Sequence, residues 1–184
     1  MASFDFIQKE IYSILPESPL DFELMHAQLV LKWVLKLKPD ADEALKIAAL
    51  ARDIDRAITG ITEKDLSDYS KINEFKKEHS VRSANFIAEL LVKHGCQEEI
   101  IKKVKDLVEK HEVGGDSESD ILMNADSLAY FEYNIPSYLK RNGEERTREK
   151  IKFMFSRLSD DAKKLVKQIN FSDSQIASLV KESL

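Results

Sequence analysis

The sequence predicts an all-α fold, a helical bundle in which residues 1–184 form one domain. Gly (5) and Pro (4) are scarce, so helices can run long without interruption. Apolar residues recur at three- and four-residue spacing along most of the chain. No stretch shows the strict alternation of a half-buried strand, and no internal repeat or low-complexity tract appears.

Residues 3–15 predict a short amphipathic helix with Phe4, Ile7, Ile11 and Ile14 or Leu15 on one face, ended by Pro16 and Pro19. From about Asp21 to Leu37 the next helix is apolar almost all round, as suits a central buried element, with Phe22, His26, Leu29 and Trp33 on its inward row. Pro39 and Asp40 turn the chain, and Asp42 is placed to cap a helix that continues to Ala57. That helix is rich in Ala and Leu yet carries Arg52 and Asp53. Helical spacing sets Asp53 on or beside the packed face, where an ionised carboxylate is costly unless a cation or strong donors meet it.

Gly60 ends this helix. Thr62 and Asp65 have capping-box-like spacing, which predicts a short helix and a crossing loop over Thr62 to Asn73. Periodicity resumes from about Glu74 to His94, with His79, Ser83, Phe86 or Ile87, and Leu90 in one row and Gly95 as terminator. Gln97 to Glu112 carries Val104, Leu107 or Val108, and His111 inward, before Gly114 and Gly115. The stretch from Asp116 to about Tyr133 aligns Ile121 or Leu122, Asp126, Ala129 or Tyr130, and Tyr133. Pro136 and Gly143 mark a break. Helices over 144–157, 160–169 and 173–183 complete the chain, the last capped by Ser172 or Asp173.

A formal charge of −5 makes no general case for nucleic acid. A single cysteine, Cys96, excludes an internal disulfide and suits a reducing compartment. The longest apolar run, Ala27 to Leu37, is interrupted by Gln28, Lys32 and Lys36, so no membrane span is expected. Residues 1–15 carry Asp5, Lys9 and Glu10 and do not read as a secretory signal, so the expected location is cytoplasmic. His94 beside Gly95 reads as a helix-end residue, and Cys96 has no local partner for a catalytic thiol.

Five residues able to bind metal, His26, Asp53, His79, His111 and Asp126, sit on the apolar rows of successive helices. Taken singly, each reads as a hydrogen-bonded core residue. Taken together, five costly polar groups would each need a partner, and one shared cation satisfies several at once.

The order and surroundings of these residues resemble the HD-domain superfamily of metal-dependent phosphohydrolases over roughly residues 20–140. The resemblance rests on His26 in "MHAQLVLKWV", on "AALARDIDRA" where that family has its His-Asp doublet, and on "EHSVRSANFIAELL" with His79. It continues through "VEKH" at His111 to "NADSLAYFE" at Asp126. It implies a helical core over about 20–140, with added N-terminal helices and a C-terminal extension over about 141–184. It also implies a divalent ion (Mn, Fe, Ni, Zn or Mg) held by His26, Asp53 and Asp126, with His79 and His111 matching the histidines that two-metal members add. The implied activity is hydrolysis of a small phosphorylated metabolite or nucleotide.

This chain departs from the family at the doublet, where Arg52 stands for a ligating His and cannot itself bind metal. Three readings follow: a weaker site on His26, Asp53 and Asp126; an Arg52 guanidinium standing in for the cation; or an ion displaced to Asp53, His79 and His111. In the catalytic reading Asp53 is a ligand and Asp126 a ligand or base, and Arg56 and Arg82 are candidates for the phosphate, against a plain ion-pairing role. Glu112 is a candidate general base. The rival reading is a catalytically silent domain that binds an anionic ligand or a protein. Residues 140–167 hold ten Lys or Arg against five Asp or Glu; they read as a solvated helical surface, with a phosphate- or nucleic-acid-facing patch as the alternative. The partner expected is a small phosphorylated molecule rather than nucleic acid or membrane, and a homodimer is compatible with the sequence.

Overall fold

The computed structural model describes residues 2–184, and among these every regular element is helical. Helix α1 (Phe4–Ile14) starts where the Ser3 hydroxyl accepts from the Phe6 N–H, and a 3₁₀ turn at Leu15–Glu17 takes up Pro16. Then come α2 (Glu23–Leu37), α3 (Glu43–Ala51) and α4 (Ile54–Thr59), followed by 3₁₀ turns at Glu63–Asp65 and Tyr69–Lys71. The longer helices α5 (Ile72–Lys93), α6 (Glu98–Lys110) and α7 (Ser117–Ala129) lead into a π-helical turn, Tyr130–Asn134. Helices α8 (Ile135–Ser156), α9 (Asp160–Val166) and α10 (Ser174–Ser183) complete the chain. Asp42, Asp116 and Asp173 each accept from backbone N–H groups at the start of α3, α7 and α10, supplying partners the first turn cannot find within the helix.

Helix α3 sits at the centre, with α2, α6 and α1 packed around it; α5 lies against α6, α7 against α2, and α10 against α8. Ala48, Ala49 and Ala51 are fully buried on α3, and their small size lets these neighbours approach closely. The terminal helices belong to the same core. Ile7 and Ile11 of α1 are as inaccessible as Leu45, and Ile151, Met154, Ile176 and Leu179 join the same buried cluster.

Four local expectations are corrected. The helix expected to run to Ala57 breaks at Arg52–Asp53, where Asp53 leaves helical geometry with φ −110° and ψ 14°. Burial of two opposite charges requires donors and acceptors from several elements, which a straight helix cannot offer. The segment Thr62 to Asn73 forms two 3₁₀ turns rather than a helix, although the Thr62–Asp65 capping box is present. Pro136 does not break the chain: it lies in the first turn of α8, where its missing N–H is harmless. Gly143 does kink α8, with φ 78° and ψ 174°, a left-handed-side conformation that glycine tolerates. The π turn adds a residue per turn, which rotates the following side chains, so Tyr133 points outward rather than along the row of Asp126.

Because α1 shares the main core, Ile11→Ala should destabilise the whole protein by about 2–5 kcal/mol. Urea unfolding followed by circular dichroism should show one transition at a lower midpoint; an unchanged midpoint would mean that α1 is peripheral.

Candidate functional site

The break between α3 and α4 carries Asp53 into the middle of a buried charge cluster. Its Oδ1 lies 2.7 Å from His79 Nε2 on α5 and 3.1 Å from Arg56 Nη1 on α4. Its Oδ2 lies 3.0 Å from Arg52 Nη2. Arg52 also reaches α7, where its Nε donates to Asp126 Oδ1 at 3.1 Å, and its Nη1 donates to the Ala49 carbonyl at 3.0 Å. Its side chain is 1% exposed, so its guanidinium is a fixed, desolvated cation between two carboxylates. From α2, His26 Nε2 meets the same Asp126 oxygen at 3.1 Å. Arg56 extends the network to Glu23 (3.1 Å) and Glu63 (2.6 Å).

Burial alone would raise both carboxyls, but the cations outweigh it. Arg56, Arg52 and His79 hold Asp53 well below the usual carboxylate range; Arg52 and Arg157, with the hydrogen bond from His26, do so for Asp126. Burial, with the charge of Arg52, keeps His26 neutral. Since its Nε2 faces a carboxylate, that nitrogen carries the proton, and Nδ1 is left buried without a partner.

The other two histidines are oriented by their far nitrogens. His111 Nδ1 lies 2.7 Å from the Val108 carbonyl and must donate to it, which turns the Nε2 lone pair towards Asp53 Oδ1, 3.8 Å away. Burial lowers the pKa of His111 and keeps it neutral. His79 is in ion-pair contact with Asp55 through Nδ1 and hydrogen-bonds Asp53 through Nε2. Against burial and Arg56, these carboxylates raise it to about 9, so it is cationic at neutral pH. Two groupings could hold a metal ion by the convergence of their ligand atoms: Asp53 with His79 and His111, and His26 with Asp53 and Asp126.

Asp53, His26, His111 and Asp126 open onto a cavity of about 440 Å³ between the bundle and α8. Arg56 also lines it, with its guanidinium paired to Glu23, Asp53 and Glu63. His79 lies wholly buried behind Asp53. Arg82 does not reach the cavity: its Nε donates to Asp55 Oδ2 at 2.9 Å, and its guanidinium lies over Phe75. The buried Asp55 carboxylate needs a second cationic partner besides His79, and this overrides the phosphate role expected for Arg82. Glu112 lines the cavity but is a poor base, because His111, Lys76 and Arg157 hold it at about 2 against the effect of burial. Its Oε2 accepts from Lys76 Nζ at 2.9 Å.

Lys76, Arg141, Arg146, Lys150 and Arg157 line the cavity and were not singled out from the sequence. A signal was present: Arg146, Lys150 and Arg157 recur at intervals of four and seven, one face of a helix. The basic stretch is therefore divided, with Lys163 and Lys164 paired locally to Asp160 and Asp161 outside the cavity. His94 has a structural setting, edge-on to Phe6 and 3.4 Å from Glu10. No helix among the described residues is long and apolar enough to cross a membrane.

Residues 10–180 match the family model described as Domain of unknown function (DUF4202), and the chain belongs to that family. No curated protein and no solved structure matches it.

The depressed carboxyls fix a pH dependence. Groups whose folded pKa lies below the unfolded value of about 4 add stability that is complete above pH 4 and disappears as pH falls through the folded pKa. With Asp53 and Asp126 well below their usual range and Glu112 at about 2, thermal midpoints should fall steeply between about pH 4 and pH 2. Calorimetry across that window checks this; a midpoint that stays level from pH 4 to pH 2 would contradict it.

Proposed function

We propose that the protein is an HD-type phosphohydrolase for a small phosphorylated molecule, with one divalent ion held by Asp53, His79 and His111. The convergence of His79 Nε2 and His111 Nε2 on Asp53 Oδ1, with each Nδ1 fixed by an acceptor, carries this reading. An acceptor behind each ring is what orients metal-ligating histidines. His79 fits on condition that the ion replaces the Nε2 proton now shared with Asp53, while Nδ1–H stays on Asp55. Asp53 and His111 face the cavity, with His79 behind Asp53, so three protein ligands would leave positions open on the cavity side, the pattern of a catalytic rather than a structural site. Two imidazoles with one carboxylate suit Mn, Fe, Ni or Zn better than Mg.

The grouping of His26, Asp53 and Asp126 fits an ion poorly, because Arg52 already lies between the two carboxylates. Its guanidinium supplies a fixed positive charge where an ion shared by those carboxylates would sit. The bound ion would supply Lewis-acid polarisation and a more acidic water. The chain's own residues would do the rest. Arg157, 3.7 Å from Asp126 and 3.8 Å from Glu112, and Lys76, on Glu112, border the cavity and would meet phosphoryl oxygens. Asp126 would orient Arg52 and His26 rather than act as a base, since its carboxyl is hard to protonate.

One observation favours a second reading, a catalytically silent pocket for an anionic ligand: Arg52 already bridges Asp53 and Asp126 without an ion.

Elemental analysis of untagged protein separates the two. The phosphohydrolase reading expects about one equivalent of a transition metal, lost in His111→Ala, with affinity reduced roughly 10–100-fold in Asp55→Asn through the ring it orients. Arg52→His should add a second binding step. Protein that stays metal-free after incubation with Mn, Ni and Zn, and hydrolyses no phosphoester in a screen, would establish the silent reading.

A further inference from the structure

The cationic side chains of the cavity fall into two sets. The inner ones are paired: Arg52, Arg56, Lys76 and Arg157 each lie within 4.0 Å of a carboxylate. Among the described residues, Arg141, Arg146 and Lys150 of α8 also line the cavity but have no carboxylate within that distance. Lys150 is the most telling of them. Burial pushes its ammonium down to about 8, and neither Glu112 nor Asp126 comes close enough to pair with it. A half-buried cation, set over the Tyr130 and Phe153 rings and facing a cavity without a counter-charge, is poised for an anion from outside.

The wall beside these cations carries buried polar atoms without partners. Tyr130 and Asn134, only 4% and 5% exposed, flank the π turn and line the cavity; the Tyr130 hydroxyl and Asn134 Oδ1 have no hydrogen-bond partner. Buried polar groups are nearly always satisfied, so orphans on a cavity wall mark where a ligand's polar atoms belong. The π turn itself is the kind of helix irregularity often found at functional sites. At about 440 Å³ the cavity falls within the range of roughly 300–1,000 Å³ seen for small-molecule sites, far more than a lone phosphate group needs.

We infer that α8 provides a second anion subsite, so that the ligand is a phosphate ester carrying a second phosphate or carboxylate at the far end of a polar spacer. The first phosphate lies against Arg157 and Lys76. The second anion pairs with Lys150 and Arg146, while the spacer's hydroxyls meet Tyr130 and Asn134. This assignment rests on the phosphate-binding part of the proposed function and not on the metal.

Calorimetric titration of the full chain tests it with two matched pairs of probes. Fructose 1,6-bisphosphate is compared with fructose 6-phosphate, and 3-phosphoglycerate with glycerol 3-phosphate. The doubly anionic member of at least one pair should bind about tenfold or more tightly than its partner, and the pair that shows this identifies phosphate or carboxylate as the second group. In Lys150→Met/Arg146→Gln that preference should shrink to about twofold or less, with the thermal midpoint reported alongside to establish folding. Equal affinities within both pairs, no binding of any probe, or a preference that survives in the folded double variant would overturn the subsite. The metal content of the wild type is read separately, so a failed α8 subsite leaves the metal centre to be judged on its own measurement.

Discussion

The structure depends on how the Asp53 carboxylate is buried. A lone ionised carboxylate in an interior of Ala, Leu and Ile would be prohibitively costly, and here its cost is offset by three cationic groups within about hydrogen-bonding distance. Arg52 comes from the end of α3, Arg56 from α4 and His79 from α5. Each of these has its own second partner, so the requirement spreads outward. Arg52 fixes α7 through Asp126, Arg56 fixes the loop through Glu63, and His79 fixes Asp55, which in turn holds Arg82. The break between α3 and α4 falls at this centre, where Asp53 leaves helical geometry.

Such a network gives no guarantee of net stability, since buried ion pairs often do little more than offset their desolvation. It does give uniqueness. Any shift of α2, α5 or α7 relative to α3 would strand a charge, so the apolar packing around Ala48, Ala49 and Leu50 and the polar centre select the same arrangement. That agreement between levels is what makes a single native structure.

Much of the fold was legible because helices announce themselves locally. The apolar rows around Ile7, Val30, Ile87 and Val104 follow helical period, and the Asp42 and Asp173 caps sit where the chain needs acceptors. Legibility failed where tertiary demands set the backbone. Nothing local distinguishes a helix through Arg52–Asp53 from one that breaks there, and the π turn at Tyr130–Asn134 has no periodic signature, so Tyr133 was aligned with the wrong face. The site was legible to the extent that His26, Asp53, His111 and Asp126 do meet at one cavity. Arg82 misled because proximity in sequence to His79 does not reveal that Asp55 takes its charge. The basic stretch 140–167 reads as a solvated surface with a phosphate-facing patch as the alternative, because a basic helix face looks the same whether it borders solvent or a cavity.

The division between paired and unpaired cations then acquires a physical meaning. Inside the cluster, every positive charge is matched, so the deep end of the cavity presents strong local dipoles with little net charge. Along α8, exposed Arg141 and Arg146 and half-buried Lys150 are unmatched, so the outer wall presents net positive charge. A low-dielectric cleft focuses such a field, and an approaching anion meets the unmatched wall before it reaches the matched centre. The chain as a whole carries −5. On the proposed reading, attraction for small anions is concentrated at this cavity rather than spread over the surface.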